Sequence, residues 1–374
     1  MNSIKTLCGS GASVKPWART TVSALALVLG GATAMVTGPS VNAADAPAWA
    51  QEPACQSLQM VGAGGPAPKG SDLMVLRYVG SANFELAYRD SVILFDAQYE
   101  REAFARPIGV TADQIKKVTA LYIGHGHGDH MSEGPQIAKQ ANAPLYGAAL
   151  TTEVAVKMGL PEKQAMTVKN GDVQKYLGFT VESILSQHNS RTPEFTKVAG
   201  AAWAELQKAT GIGRSPEARA AGNSGVIKGT NDPHVLDQGT YAFLITFDNG
   251  FKFMMLDSSG PVTEGQRAVM KRIGKVDVAS VAYQGYFVPK RQIEGTLPLV
   301  ELFKPDIFLP NHHDETAGSF PDMGTEPLFM AVRDKMPATQ SIAPLYRTPV
   351  CINIRTKEVF IGEPHTWPAN KRQS

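Results

Sequence analysis

Hydrophobic and polar positions along this chain fall into two successive rounds, each a run of short strands followed by alternating strands and helices. The first round opens with Leu73–Tyr78, Asn83–Tyr88 and Ser91–Phe95, short segments rich in aromatic and branched residues, the last two joined by a tight Arg89-Asp90 turn. Ala120–Ile123 then predicts a short apolar strand, Glu133–Ala141 a helix, the stretch near Leu145 another strand, Thr151–Gly159 a second helix, and Phe179–Leu185 a strand ending just before His188. The second round opens with Thr240–Phe247 and Phe251–Leu256 around an Asp248-Asn249-Gly250 turn, a strong hairpin signal. Helices near Glu264–Ile273, Thr296–Phe303 and Glu326–Met336 alternate with strands at Val278–Ala282 and Ile307–Leu309, and a hairpin of Val350–Ile354 and Glu358–Ile361 closes the pattern. The two rounds predict an α/β protein with two similar halves.

Three stretches stand outside this alternation. Residues 44–70, with Pro47, Pro53, Pro66 and Pro68, read as an extended N-terminal arm ahead of a domain spanning 71–364. Residues 189–237 fall between the two rounds, with Gly-rich turns, a helical stretch around Ala201–Ala209 whose Trp203 face packs on the domain, and mixed charge. They read as an insertion, and long insertions are more often functional lids than idle loops. Residues 365–374 form a tail.

The first residues carry no Asp or Glu up to Ala44, while Lys5, Lys15 and Arg19 precede an apolar stretch from Val22 to about Val36. Gly38 and Pro39 break it, and Val41-Asn42-Ala43 offers small residues for cleavage, so residues 1–43 read as a signal peptide cut after Ala43. The stretch is short of the roughly 20 apolar residues of a membrane span, and an uncleaved anchor is the alternative. No twin arginine is present, which favours the general export route, and no later segment reads as transmembrane, so no membrane anchor is expected after cleavage. Cys8 would leave with the leader; Cys55 and Cys351 remain as an even pair that either forms a disulfide or stays as two separate buried thiols.

Charge narrows the partners. With 36 basic and 34 acidic residues the formal net charge is +2, which gives no footprint for nucleic acid or an anionic membrane and leaves a small-molecule substrate.

Chemistry concentrates in Gly124-His125-Gly126-His127-Gly128-Asp129-His130, directly after a predicted buried strand. Neutral imidazoles and a carboxylate are the ligands of zinc and similar divalent ions, and interleaved glycines let closely spaced side chains converge. A chance His-rich surface loop would not follow a buried strand with glycine at every spacer.

This is the H-x-H-x-D-H signature, and from about Leu73 to Gly362 the chain resembles the metallo-β-lactamase superfamily. It is especially similar to the branch of the ascorbate-6-phosphate lactonases and N-acylphosphatidylethanolamine-type phospholipases D. The resemblance implies a four-layer αββα sandwich holding two divalent ions, zinc in the first place and manganese or iron as alternatives. It implies His125, His127 and His188 at one metal, Asp129 and His130 at the other, Asp257 bridging them, and His312, with His313 as the alternative, completing the second site. Two such ions share a hydroxide that attacks a carbonyl or phosphoryl centre, with Asp129 both ligand and orienter of the nucleophile. Six of the eight histidines fall in these ligand-bearing segments. Two departures stand out: Gly124 where the family often has Ser or Thr, and Leu256 where it often has Gly. Gly124 removes a hydroxyl contact and so affects the tuning of the metal rather than its presence.

The implied function is an exported dinuclear metal hydrolase of lactone, amide or phosphodiester bonds, with hydrolytic removal of a halide also open. Asp257 argues against a true β-lactamase, and the leader and near-neutral charge argue against RNA processing. An iron-dependent oxygenase or redox enzyme on the same fold is the alternative, and a non-catalytic binding protein is the third reading. Tyr283, Tyr286, His313 and His234 are the candidate proton donors, His365 has no functional argument, and Arg191, close after His188, could steer an anionic group.

Overall fold

The hydrophobic pattern resolves into two mixed β-sheets stacked face to face. A computed structural model describes residues 46–100, 107–189, 239–283, 289–314 and 324–362, all within the compact unit Ala43–Ser374. The first sheet holds β1 (Leu73–Gly80), β2 (Asn83–Tyr88), β3 (Ser91–Phe95), β4 (Ala120–Tyr122), β5 (Leu145–Gly147) and β6 (Ala165–Thr167). Its other edge is β14 (Pro349–Asn353) and β15 (Val359–Ile361), giving the order β15-β14-β1-β2-β3-β4-β5-β6. The second sheet holds β7 (Val173–Tyr176), β8 (Phe179–Ser186), β9 (Thr240–Phe247), β10 (Lys252–Leu256), β11 (Val278–Ala282), β12 (Ile307–Asn311) and β13 (Gln340–Ser341), in the order β13-β12-β11-β10-β9-β8-β7.

Each sheet repeats one plan. β1, β2 and β3 pair antiparallel and β3 to β6 continue parallel; β7 to β10 pair antiparallel and β10 to β13 continue parallel. Parallel neighbours need crossovers, which the helices supply. These are α2 (Gly128–Met131), α3 (Gly134–Ala141) and α4 (Ala149–Lys157) in the first half, after α1 (Pro53–Gln56) of the arm. In the second half they are α5 (Glu264–Ile273), α6 (Pro289–Phe303) and α7 (Glu326–Lys335).

Strand periodicity decides the layers. Phe95, Tyr122, Phe243 and Phe253 meet between the sheets, with Tyr122 5.0 Å from Phe243 ring to ring. The alternate residues Ala242, Leu244, Met254 and Leu256 face outward and pack with Val269 of α5, Leu299 and Phe303 of α6, and Leu328 of α7. On the first sheet Tyr122 and Tyr146 face inward, while Ile123 and Leu145 contact Gly134 of α3. The result is the four-layer αββα sandwich.

Three details differ from the sequence pattern. The arm is not extended: α1 and two 3-10 turns at Ala48–Gln51 and Val61–Ala63 pack on the outer face of the first sheet. A buried Arg77–Glu85 pair at 3.2 Å anchors it, Arg77 donating to Ala54 O at 2.6 Å and Glu85 accepting from Val61 N and Gly62 N at 2.9 and 2.7 Å. Cys55 and Cys351 are bridged, with Cα atoms 5.9 Å apart. α6 begins at Pro289 rather than near Thr296; Gly295 and Pro298 argue locally against a helix, but Gly295 lets it approach the backbone of Ser259, where a Cβ would lie 3.0 Å from Ser259 O. Finally, β6 and β7 lie at the sheet edges, too short and too exposed to leave a pattern. Among the described residues no helix is long and apolar enough to cross a membrane. The segment 1–43, the insertion beyond Asn189 and the tail lie outside the described residues, and with them Trp203, Arg191, His234, Tyr286 and His365.

Candidate metal centre

Every residue of the proposed ligand set stands at the C-terminal end of a strand, the end at which open α/β sheets bind ligands. His125, His127, Asp129 and His130 follow β4, His188 follows β8, Asp257 follows β10, and His312 follows β12. The loop after β4 turns into α2 with His127 at its N-cap, which puts Asp129 and His130 in the first helical turn, facing back over the strand.

Three overlapping groups of ligand atoms result, each within 4.8 Å: His125, His127 and His188; His125, His130 and Asp257; Asp129, His130 and His312. His125 Nε2 faces His127 Nδ1 at 3.0 Å, and His125 Nδ1 lies 2.6 Å from Asp257 Oδ2. Asp129 Oδ2 is 3.1 Å from His312 Nε2 and 3.6 Å from His130 Nε2. His125 and His130 each belong to two groups, so the seven residues form one continuous double site.

Surrounding contacts fix the rings. His188 Nδ1–H donates to Asn189 O at 2.8 Å, which turns Nε2 toward the cluster. His130 Nδ1–H donates to Asp96 Oδ2 at 2.8 Å, and Asp96 Oδ1 accepts from Gly124 N at 2.9 Å. Asp96 thus holds both the ring and the loop, and it was not among the sequence candidates. The available signal was its place at the end of β3, where it takes a left-handed φ of 57°. The Asp257-Ser258-Ser259-Gly260 loop grips the His188 loop, with Asn189 N donating to Ser258 Oγ at 3.1 Å. A Cβ on Gly260 would lie 1.9 Å from Gln187 O, so only glycine admits that approach.

Gly124 has a steric role. A Cβ there would lie 2.1 Å from Asp257 Oδ2, so the seryl or threonyl side chain common in the family cannot stand beside Asp257 in this arrangement. Leu256 is an ordinary core residue on the helix-covered face.

The two adjacent histidines after β12 separate clearly. His312 points at Asp129, whereas His313 stacks on Tyr78 with ring centroids 5.3 Å apart and 15° between planes. Tyr283, a candidate proton donor, is fully buried in the core between the second sheet and its helices, and burial raises its hydroxyl pKa, with Glu326 adding to the effect.

The electrostatics fit a cation. Burial, helped by His130 and His127, holds His125 well below the ordinary imidazole value, and burial with His125 and His127 takes His188 down to about 2. Both rings are therefore neutral and offer lone pairs. Burial opposes charge on His130 too, but Asp129 and Asp96 outweigh it and push it up to about 10. Burial raises Asp96 to about 7 and Asp257 to about 6 against the pull of His130. Burial likewise opposes charge on Asp129, yet His130 and His312 hold it well below the carboxylate range. Three buried or half-buried carboxylates stand against one raised imidazole, that of His130, which leaves a place for further positive charge, and Asp257 Oδ1 is buried with no hydrogen-bond partner among the described residues. Divalent ions of the zinc, manganese or iron type meet both demands, and the mixed imidazole and carboxylate donors suit them.

The two-sheet fold and the motif-bearing double site are of the metallo-β-lactamase type, which the chain resembles. No family model matches the sequence. It is similar to an UPF0173 metal-dependent hydrolase of Cupriavidus necator, 24% identical over 203 residues, covering 53% of this chain and 59% of the relative. An UPF0173 metal-dependent hydrolase of Pyrobaculum aerophilum is 48% identical over 109 residues, covering 26% of this chain and 46% of the relative. The chain thus spans about half the length of the curated relatives it matches. Among solved structures, a metallo hydrolase from the archaeon Ignicoccus hospitalis aligns with a TM-score of 0.49 at 14% identity, over 75% of this chain and 98% of that one.

Proposed function

We propose that this chain is an exported dinuclear metal-dependent hydrolase. Its resident metal is zinc, and its small-molecule substrate carries a carbonyl or phosphoryl centre of the lactone, amide or phosphodiester class. The branch that includes ascorbate-6-phosphate lactonases and N-acylphosphatidylethanolamine phospholipases D is the one the motif and its outlying ligands resemble. The observation that carries this reading is the continuous double site of five imidazoles and two carboxylates, with its buried, unpartnered Asp257 oxygen. The names of the curated relatives, metal-dependent hydrolases, support it.

When bound, a pair of divalent ions would supply a nucleophilic hydroxide near neutral pH and polarise the substrate oxygen. The residues divide the remaining work. His125, His127 and His188 would hold one ion, and their burial keeps them neutral and so able to ligate. Asp129, His130 and His312 would hold the other, with Asp257 between the two. The Asp129 side chain is 23% exposed and the Asp257 side chain 3%, so Asp129 is the carboxylate that reaches solvent. Its Oδ2 faces His312, which leaves Oδ1 to orient water. Asp96 keeps the His130 ring turned toward Asp129 throughout. Tyr283, packed on the helix side, is not in position to protonate a leaving group.

The test is turnover of a panel of lactones, phosphodiesters, amides and lactams before chelation, after it, and after zinc is restored. At least one class is expected to be hydrolysed, to be lost on chelation and to recover, and to be absent in His125→Ala and Asp257→Ala. Full activity in both variants, or bound iron with oxygen uptake, would overturn the proposal.

A further inference from the structure

Behind the His312 side of the centre lies a second buried network that hydrolysis itself does not use. His312 has a φ of 56°, a left-handed conformation that a residue with a side chain keeps only when its surroundings impose it. The β1–β2 turn supplies that constraint. Ser81, at a φ of 53°, accepts the His312 N–H at 2.6 Å and the Tyr78 hydroxyl at 2.9 Å through its one carbonyl oxygen. The Ser81 N–H points at both oxygens of Asp314, each at 3.1 Å, and the Tyr346 hydroxyl donates to Asp314 Oδ2 at 2.6 Å. Ser81, Asp314 and Tyr346 are all buried. Tyr78 completes the grip by stacking on His313, between the two residues being held.

Asp314 stands two residues beyond a candidate ligand, yet its oxygens are engaged by Ser81 and Tyr346. We propose that Asp314, with Tyr346, is a positioning residue for the His312 side of the metal centre. It clamps the β1–β2 turn to the loop after β12, keeps His312 in its left-handed conformation and holds Nε2 toward Asp129. This inference rests on the dinuclear reading above. The two oxygens of Asp314 accept from the Ser81 N–H and the Tyr346 hydroxyl, so one buried side chain ties the turn, the loop and Tyr346 together. Asparagine at 314 keeps the shape but puts an amide N–H at one of the two oxygen positions that the Ser81 N–H faces. The contacts just described converge on His312 rather than on the His125, His127 and His188 group, so the effect is expected to fall on one metal and not the other.

The experiment compares wild type, Asp314→Asn, Tyr346→Phe and His312→Ala as full chains. Each is stripped of metal, titrated with cobalt while the visible ligand-field bands are followed, and counted for zinc after desalting; unfolding of the metal-free proteins is recorded alongside. Wild type is expected to take two ions. In Asp314→Asn the first ion is expected to bind with unchanged affinity and bands, while affinity for the second falls about 10- to 100-fold. Tyr346→Phe is expected to shift the second site in the same direction with metal-free unfolding close to wild type, and it decides the matter if Asp314→Asn does not fold. If both variants bind two ions as tightly as wild type while His312→Ala loses one, the positioning role is wrong and the dinuclear reading stands. Equal weakening of both sites would also overturn the positioning role. A wild type that binds no metal would remove the dinuclear reading and this inference together.

Discussion

A methyl group at position 124 would occupy the space of the Asp257 carboxylate, 2.1 Å from Oδ2, so this glycine and that aspartate are a matched pair. Gly124→Ala is therefore expected to displace Asp257 and weaken metal binding at least 10-fold, as loss of a contact that orients a ligand does. Gly126→Ala, whose Cβ would meet nothing nearer than Thr151 Oγ1 at 3.3 Å, is expected to be much milder. Metal affinities of the two variants check this, and equal affinities would contradict it. A second residue-scale prediction concerns Glu133, which accepts from Tyr99 N at 2.6 Å and Glu100 N at 3.3 Å. Burial raises its carboxyl from the ordinary 4.5 to about 7, against the pull of those two hydrogen bonds. A raised carboxyl stabilises the fold fully below about 4.5 and loses that contribution as pH rises through about 7. Relative to Glu133→Gln, wild type is expected to lose on the order of 3 kcal/mol across that window. Denaturation of both proteins at pH 4.5 and pH 8 measures the difference, and parallel pH profiles would contradict it.

At the scale of elements, function is gathered at strand ends. Asp96 closes β3 and Asp257 closes β10, the last antiparallel strand of each half. Only the second was read as a ligand from the sequence, and the structure gives the first a different task. Asp96→Asn keeps the shape but loses the charge that holds His130 Nδ1–H, and it is expected to lower metal affinity about 10- to 100-fold while leaving the fold intact. Circular dichroism with metal titration checks both halves of that statement. The candidate ligands after β4 could be read because they are local in sequence, and the candidates His188 and Asp257 because strand-ending signals precede them; the structure brings all of them together. His312 was favoured on sequence with His313 as the alternative, and what turns His312 toward Asp129 was not legible, because Ser81 O lies in a turn that meets this loop 233 residues away in the chain at Asp314. Asp96 was hidden for a similar reason: its partner His130 lies 34 residues on. β7 escaped because an edge strand with alternate residues exposed has little apolar pattern to show.

At the scale of the molecule, two similar halves were legible as two rounds of strands and helices, and the two sheets share one antiparallel-then-parallel plan, although β8 of the first round joins the second sheet and the closing hairpin of β14 and β15 joins the first. The arm was not, because prolines hide short helical turns that form only against Arg77, Glu85 and Cys351. The Cys55–Cys351 bridge joins residues 296 apart, so Cys55→Ser is expected to cost about 2–5 kcal/mol in chemical denaturation while leaving metal content unchanged. Unaltered stability would contradict the role given to the bridge. The central claim is a double metal site built by seven residues from four strand ends, and metal content per chain, measured by mass spectrometry on wild type and Asp257→Ala, tests it most directly. The account predicts two divalent ions in wild type and fewer than two in Asp257→Ala. Two ions in both, or none in wild type after zinc loading, would contradict it.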